Sequence, residues 1–222
     1  MEIQEVSGHL LLETVGGRYV IDTGSPASFA RGGEIYFAGR TSDVPTSYMG
    51  MLDSDTLSGY IGAKVDGLIG MDILGGFCLT FFKNRLIIDD SDKMEEGFVS
   101  LPTDSFMGIP VVTVNVGGRE VKVFIDSGAK ISYLNPNLIE DLPEEETVHD
   151  FYPGIGEFDV NVSTAPCSLA SFSLRARFGR LPTLLQMTLM MGGAEGILGH
   201  DLFSKYEVRL NHGRDVAIRP YL

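Results

Sequence analysis

The sequence predicts an all-β protein built from two homologous halves. Short apolar segments rich in Val, Ile, Leu, Phe and Tyr are interrupted roughly every eight to twelve residues by Gly, Pro, Asn or Asp, which is the spacing of short strands and tight turns. Glycine supplies 27 of the 222 residues, well above the usual ~7 %, and so favours many turns. The third observation is an internal repeat, which determines the architecture.

The repeat contains two aligned pairs of segments. Residues 65–74 (VDGLIGMDIL) correspond to residues 194–203 (AEGILGHDLF), with equivalent positions 129 apart. Upstream, residues 19–24 (YVIDTG) correspond to residues 123–128 (VFIDSG), with equivalent positions 104 apart. Because the segments recur in the same order, we expect two copies of one folding unit.

The domain organisation follows from the repeat. Residues 1–90 form the first half, and residues 101–222 form the second half. The linker is predicted at residues 91–100, within and just after an acidic stretch that begins at residue 89.

Several strands are clear in the sequence itself. Residues 111–116 end at a Gly-Gly pair and lead into residues 121–125, which indicates a hairpin. Residues 78–82 turn at Lys-Asn into residues 86–88, which indicates a second hairpin.

Helices are predicted to be few and short. Residues 137–142 are one candidate, because an Asn-Pro pair precedes them. Short helical turns are expected after Asp72 and after Asp201. The methionine-rich segment 187–191 is interpreted as a buried strand rather than as a cofactor site.

The charge argues against two classes of partner. Seventeen basic and 30 acidic residues give a formal net charge of −13, which repels phosphate backbones and anionic lipid headgroups. No apolar run approaches the ~20 residues that span a bilayer. The amino terminus lacks the basic start and apolar stretch of a signal peptide. We therefore expect no nucleic-acid or membrane partner and a cytoplasmic location.

Each half places an aspartate, Asp22 or Asp126, at the end of an apolar strand. A carboxylate there is costly unless it is hydrogen-bonded, and the hydroxyls of Thr23 and Ser127 are expected to supply such bonds. If the halves pack about a two-fold axis, the two carboxyls meet and share one proton. One carboxyl then acts as a base and the other as an acid on a water molecule between them.

These motifs resemble those of the aspartic proteases. The apolar-apolar-Asp-Thr/Ser-Gly turn, followed in the same half by apolar-apolar-Gly at Gly70 or Gly199, is similar to that family's signature. The second half resembles retropepsin-like proteases in particular, whereas two halves on one chain resemble the pepsin-like arrangement. The resemblance implies the acid-protease fold, with two β-barrel-like halves forming a pseudo-two-fold single-chain dimer, and it implies supporting roles for Gly24 and Gly128.

The second half has a longer segment between its two motifs. The distance from the catalytic-turn aspartate to the motif glycine is 48 residues in the first half and 73 in the second. In the family, a β-hairpin flap of about that surplus closes over bound peptide. We place a flap in the second half only, with Tyr152, Gly154, Ile155 and Gly156 at or near its tip; the alternative is an ordinary Pro-Gly hairpin turn.

The residues after the two glycines differ. Ser25 follows Gly24, as in pepsins, whereas Ala129 follows Gly128, as in retroviral enzymes. A hydroxyl at this position can bond to the neighbouring carboxylate and stabilise its charge. We therefore expect Asp22 to have the lower microscopic pKa of the pair.

The predicted function is an aspartic endopeptidase in which Asp22 and Asp126 activate water. Its partner would be a peptide or protein substrate, and the chain is expected to act as a monomer with internal pseudo-symmetry. No metal or organic cofactor is implied; the pairs His149-Asp150 and His200-Asp201 are interpreted as solvated loop residues. The alternative is a catalytically inactive peptide-binding or scaffold protein on the same fold, with the aspartates as strand-end caps.

Overall fold

The protein is described here by a computed structural model, which covers residues 1–89, 93–153 and 155–221. It is an all-β protein with few helices, as predicted. The first half contributes eleven strands: β1 (Ile3–Val6), β2 (His9–Thr14), β3 (Gly17–Ile21), β4 (Phe29–Ala30), β5 (Glu34–Phe37), β6 (Arg40–Asp43), β7 (Ser47–Tyr48), β8 (Leu52–Asp53), β9 (Gly67–Ile69), β10 (Cys78–Phe82) and β11 (Arg85–Asp89).

The second half also contributes eleven strands to the part of the chain that the structure describes. They are β12 (Val99–Leu101), β13 (Thr103–Phe106), β14 (Ile109–Val116), β15 (Arg119–Ile125), β16 (Ser132–Leu134), β17 (Glu146–Tyr152), β18 (Gly156–Leu169), β19 (Phe172–Arg180), β20 (Gly196–Leu198), β21 (Tyr206–Asn211) and β22 (Asp215–Pro220). The linker prediction includes residues 91 and 92, which lie outside the described residues, so the division at 91–100 stays a prediction.

The helices are short and occur in matching places. The described residues form four α-helices, α1 (Ser54–Ile61), α2 (Met71–Leu74), α3 (Thr183–Met191) and α4 (His200–Phe203), and Pro136–Leu138 form a 3-10 turn. The turns expected after the two Gly motifs are confirmed as α2 and α4, whereas the candidate at 137–142 is reduced to that 3-10 turn.

The prediction of a buried strand at 187–191 is wrong, because this segment is the second part of α3. Leu185 and Leu189 are buried at helical spacing, whereas Met187, Met190 and Met191 are exposed. Unbranched methionine side chains favour a helix. The apolar composition therefore reflects helix propensity rather than burial in a sheet.

The two halves use the same strand order around their Asp turns. In the first half β1-β2-β3-β9-β4 form one sheet, in which β3 pairs in parallel with β9. In the second half β13-β14-β15-β20-β16 follow the same order, and β15 pairs in parallel with β20. The aligned segments of the sequence repeat therefore occupy equivalent strands.

A second sheet joins the halves. Its order is β11-β10-β21-β22-β12, and β10 of the first half pairs antiparallel with β21 of the second. This pairing holds the halves together on the side of the molecule formed by the segments after the two Gly motifs. Its backbone hydrogen bonds fix the position of one half relative to the other.

The halves differ in what lies between their two motifs. The second half continues from β16 into β17, β18 and β19, which extend its sheet to eight strands. The first half has instead two small hairpins, β5–β6 and β7–β8. The surplus residues of the second half thus form a long hairpin, β17–β18, at the place predicted for the flap.

Candidate active site

Asp22 and Asp126 lie at the ends of β3 and β15, and equivalent bonds hold them. The backbone N–H of Asp22 donates to the Ile69 carbonyl at 3.0 Å, and that of Asp126 donates to the Leu198 carbonyl at 3.1 Å. Each turn is thereby attached to the strand that carries the Gly motif of its own half. Both carboxyls are half-buried.

Thr23 and Ser127 join the two turns by four crossed hydrogen bonds. The Thr23 hydroxyl donates to the Ile125 carbonyl at 2.8 Å and accepts from the Ser127 N–H at 2.9 Å. The Ser127 hydroxyl donates to the Ile21 carbonyl at 2.8 Å and accepts from the Thr23 N–H at 3.0 Å. Both residues are buried. The expectation that these hydroxyls bond the carboxylates is wrong, because they form hydrogen bonds with backbone carbonyl and N–H groups of the opposite half instead.

Gly24 and Gly128 leave space for the opposite carboxyl. A Cβ on Gly24 would overlap the Asp126 carboxyl, and a Cβ on Gly128 would overlap the Asp22 carboxyl. Any larger residue would push the carboxyls away from their positions. The two glycines are therefore required by close packing across the halves, and neither has a positive φ.

The two carboxyls lie close together, and their pKa values rise. Burial, the neighbouring Asp126 charge and a hydrogen bond with the Asp126 side chain raise the pKa of Asp22 well above its usual value. Burial also raises the pKa of Asp126, while the bonds that it accepts from Asp22, Gly128 and Ala129 lower it. The pair therefore holds one proton to a higher pH than an ordinary carboxyl does.

The reason for expecting a lower pKa at Asp22 does not hold, because the Ser25 hydroxyl is used elsewhere. This hydroxyl donates to the Ala27 carbonyl at 2.9 Å rather than to Asp22. Asp126 accepts from the N–H groups of Gly128 at 2.8 Å and Ala129 at 3.1 Å. Asp22 accepts the equivalent bond from the Gly24 N–H at 2.9 Å, so the Ser25 hydroxyl gives Asp22 no advantage as the ionised member of the pair.

Gly70 and Gly199 are each in close contact with the backbone of the Asp turn in their own half. A Cβ on Gly70 would come within 2.8 Å of the Ser25 carbonyl oxygen, and one on Gly199 would come within 2.7 Å of the Ala129 carbonyl oxygen. The N–H of Gly199 donates to the Ser132 hydroxyl at 3.1 Å. The glycines predicted from the repeat therefore support the two turns directly.

Sequence reasoning missed Ser28, which supports the first half as Ser132 supports the second half. Its hydroxyl accepts from the Gly70 N–H at 2.8 Å and donates to Asp72 at 2.5 Å. Ser28 and Ser132 are both fully buried. The signal was available, because the two serines are 104 positions apart, as are the two aspartates.

Two tyrosines lie near the paired carboxyls. Tyr152, at the end of β17, has a pKa raised by burial and by the nearby Tyr48, Asp126 and Asp22. Tyr48, in the small β7–β8 hairpin, has a pKa raised by burial and by Asp22. The long hairpin of the second half and the small hairpin of the first therefore approach the carboxyls together.

The tip of the long hairpin is described only in part. Tyr152 pairs with Gly156, and the Ile155 N–H donates to the Tyr152 carbonyl at 3.0 Å. Gly154, also predicted at this tip, lies outside the described residues. Gly156 has a φ of 84°, which glycine adopts without strain.

The histidine pairs are not in loops, contrary to expectation. His149 and Asp150 are part of β17, and His200 and Asp201 begin α4. Among the described residues, no group of three or more His, Cys, Asp or Glu side chains is arranged to hold a metal ion. Within the same residues, no helix is long and apolar enough to span a membrane.

The fold and the paired carboxyls are those expected of an aspartic protease, and a family comparison agrees. Residues 108–211 match the family of retroviral aspartyl proteases. This segment contains Asp126, Gly128 and Gly199. The predicted resemblance to aspartic proteases of the retropepsin-like superfamily is confirmed, and such proteases act on peptides.

Two solved structures are similar to parts of the chain. The simian foamy virus (mac) protease shares 18% identity, with 40% of this chain and 86% of that chain covered and a TM-score of 0.31. A retropepsin-like aspartic protease from Rickettsia conorii shares 14% identity, with 55% and 91% covered and a TM-score of 0.41. A search of curated proteins finds no match.

Proposed function

We propose that this protein is an aspartic endopeptidase in which Asp22 and Asp126 form the catalytic pair. The observation that supports the proposal is the close approach of the two carboxyls: each is held at the end of a strand in its own half and lies against the glycine of the opposite Asp turn. Two carboxyls that share one proton provide a base and an acid at neighbouring atoms.

The two carboxyls have different roles in the proposed reaction: one accepts a proton and the other donates one. Asp126, as the ionised member, accepts a proton from the attacking water. Asp22, as the protonated member, donates its proton to the carbonyl oxygen of the peptide bond. The tetrahedral diol then collapses: its nitrogen receives the proton held by Asp126, one of its hydroxyls returns a proton to Asp22, and the C–N bond breaks without a covalent enzyme intermediate.

The substrate is proposed to be an extended peptide held between the halves. The β17–β18 hairpin would act as a flap that covers the peptide and excludes water, with Tyr152 facing the reacting bond. Main-chain hydrogen bonds to the hairpin would align the peptide as an additional strand. Because both carboxyls belong to one chain, the active form is proposed to be a monomer with internal pseudo-symmetry.

The test is digestion of an unbiased peptide library between pH 3 and pH 8. Wild-type protein should cleave, and Asp22→Asn and Asp126→Asn should each abolish cleavage while remaining folded. Asp104→Asn is the matched control, because Asp104 is exposed and pairs only with Lys122 among the contacts described. Cleavage that persists in either active-site variant would overturn the assignment.

The alternative, a peptide-binding protein without activity, makes a different prediction. Wild-type protein would then bind library peptides or a statine-type inhibitor without cleaving them at any pH. The close approach of the two carboxyls argues for activity, because aspartates that served only as strand-end caps would not need to meet, and their burial together raises both pKa values.

A further inference from the structure

His9 occupies an apolar position of the structural repeat. The β1–β2 turn, Ser7 and Gly8, has φ values of 54° and 86°, and the β13–β14 turn, Met107 and Gly108, has 53° and 83°. After these matching turns, His9 pairs with Val6, and Ile109 pairs with Phe106. His9 and Ile109 are therefore equivalent, and both are buried. An imidazole in such a position is costly unless it makes a specific interaction.

One edge of the His9 ring holds the catalytic turn of the opposite half. Its Nδ1 lies 2.8 Å from the Gly128 carbonyl oxygen. A carbonyl only accepts, so Nδ1 is the donor. Burial lowers the pKa of His9, which favours the neutral ring. Since Gly128 packs directly against the Asp22 carboxyl, this bond fixes the backbone on which Asp22 rests.

One face of the same ring holds the long hairpin. The His9 and Phe151 ring centroids are 5.5 Å apart with the planes tilted by 40°. Phe151 packs in turn on Tyr60 of α1, at 4.7 Å and 31°. Phe151 therefore lies between two rings of the first half, directly before Tyr152.

The Asp150 carboxylate and the Lys130 ammonium near His9 have partners of their own. Asp150 accepts the Tyr133 hydroxyl and, at 2.8 Å, the Phe151 N–H. The Lys130 ammonium donates to the His149 carbonyl at 3.1 Å. The described contacts of His9 are thus the Gly128 carbonyl and the Phe151 ring, and they connect two parts of the site that differ in function.

We propose that His9 is a positioning residue that couples the tip end of the β17–β18 hairpin to the Asp126 turn of the second half. The Nδ1 donor fixes the turn at Gly128, and the ring face fixes the hairpin through Phe151. The consequence for catalysis rests on the proposed function. The coupling itself is a property of the folded chain and can be measured without substrate.

Two substitutions separate the two contacts. His9→Asn keeps a donor near the position of Nδ1 and removes the ring. His9→Phe keeps a ring and removes the donor. The readout is amide hydrogen exchange of β17 and of residues 128–130, with kcat and KM measured in parallel.

The expected results differ between the variants. His9→Asn should accelerate exchange in β17 and raise KM, each about fivefold to tenfold. Exchange at residues 128–130 should stay unchanged. The fold-change corresponds to the loss of about one contact. His9→Phe should accelerate exchange at 128–130 and lower kcat by a similar factor, with β17 unchanged. Equal changes in both segments, or no change in either, would overturn the proposal.

A third variant tests the hairpin side without changing His9. Phe151→Leu should accelerate exchange in β17 and leave residues 128–130 as in wild type. If it also accelerated exchange at 128–130, the two contacts would not be separable and the proposal would be overturned. If no variant or wild-type protein cleaves peptides, the exchange results still decide the coupling, and only the proposed function fails.

Discussion

Thr80 and Arg209 are equivalent positions of the repeat, and they pair directly opposite each other in the sheet that joins the halves. On either side, Leu79 pairs with Leu210 and Phe81 with Val208, which is the exchange of equivalents that a two-fold relation produces. The Arg209 guanidinium donates to the Thr80 hydroxyl at 3.2 Å and to Asp89 at 2.8 Å. The junction of the halves therefore contains a buried charge on one side only.

The Arg209–Asp89 pair should contribute measurably to stability. Asp89→Asn removes the Asp89 carboxylate from a guanidinium that is 3% exposed, and we expect a loss of about 1–3 kcal/mol. Urea unfolding measures this loss. Asp104→Asn removes an exposed pair and should cost less than about 1 kcal/mol. Equal losses in the two variants would contradict the assigned importance of the buried pair.

The crossed hydrogen bonds of Thr23 and Ser127 should contribute strongly to stability, because they connect the two Asp turns. Ser127→Ala removes two bonds and leaves the Ile21 carbonyl and the Thr23 N–H buried without partners, so we expect a loss of about 2–4 kcal/mol. Ser127→Thr retains the hydroxyl and imitates the first half, so its loss should be smaller by about 1 kcal/mol or more. Urea midpoints of both variants test this, and a neutral Ser127→Ala would refute it.

Gly24→Ala should displace the paired carboxyls of Asp22 and Asp126. Its Cβ would overlap Asp126, and a displacement of about 1 Å lowers catalytic rates by roughly 100-fold. Gly59→Ala is the matched control, because Gly59 lies in α1 with no atom within 4 Å of a new Cβ. It should increase stability by about 0.5–1 kcal/mol and leave kcat/KM unchanged. Wild-type activity in Gly24→Ala would show that the carboxyls tolerate the shift.

The carboxyl pair should make stability depend on pH. Because the pKa values of Asp22 and Asp126 are raised by folding, the pair's contribution is most favourable below the unfolded pKa of about 3.9 and is lost as pH rises through the folded values. Asp126→Asn should therefore increase Tm at pH 7 and change it little at pH 3. Thermal unfolding at the two pH values measures the difference, and a lower Tm at pH 7 would contradict it.

The sequence predicts what is local and repeated. Asp22, Gly70 and their equivalents were recognisable because each lies in a short motif that occurs twice. The bonds of Thr23 depend on how one half sits against the other, and no pattern within either half specifies that. His9 was missed for a related reason: its distinction from Ile109 becomes visible only after the hairpin registers align the two halves.

Helix α1 was not predicted, although the sequence contains signals for it. Asp53 caps α1 by accepting the Thr56 N–H at 2.8 Å, and Leu57 and Ile61 form its buried face. This capping residue and spacing are typical of a helix start. The frequent glycines and short apolar segments of the chain favour strands throughout, and they obscure the helical spacing of these few residues. The cytoplasmic location stays a prediction.

The difference between His9 and Ile109 is one that a protein made of two identical subunits cannot have. In a homodimer encoded by one gene, every substitution appears at both sites, so a histidine useful on one side is imposed on the other. With both copies on a single chain, mutation and selection act on each copy separately. One half can then specialise in carrying the long hairpin, while the other evolves the surface that receives it.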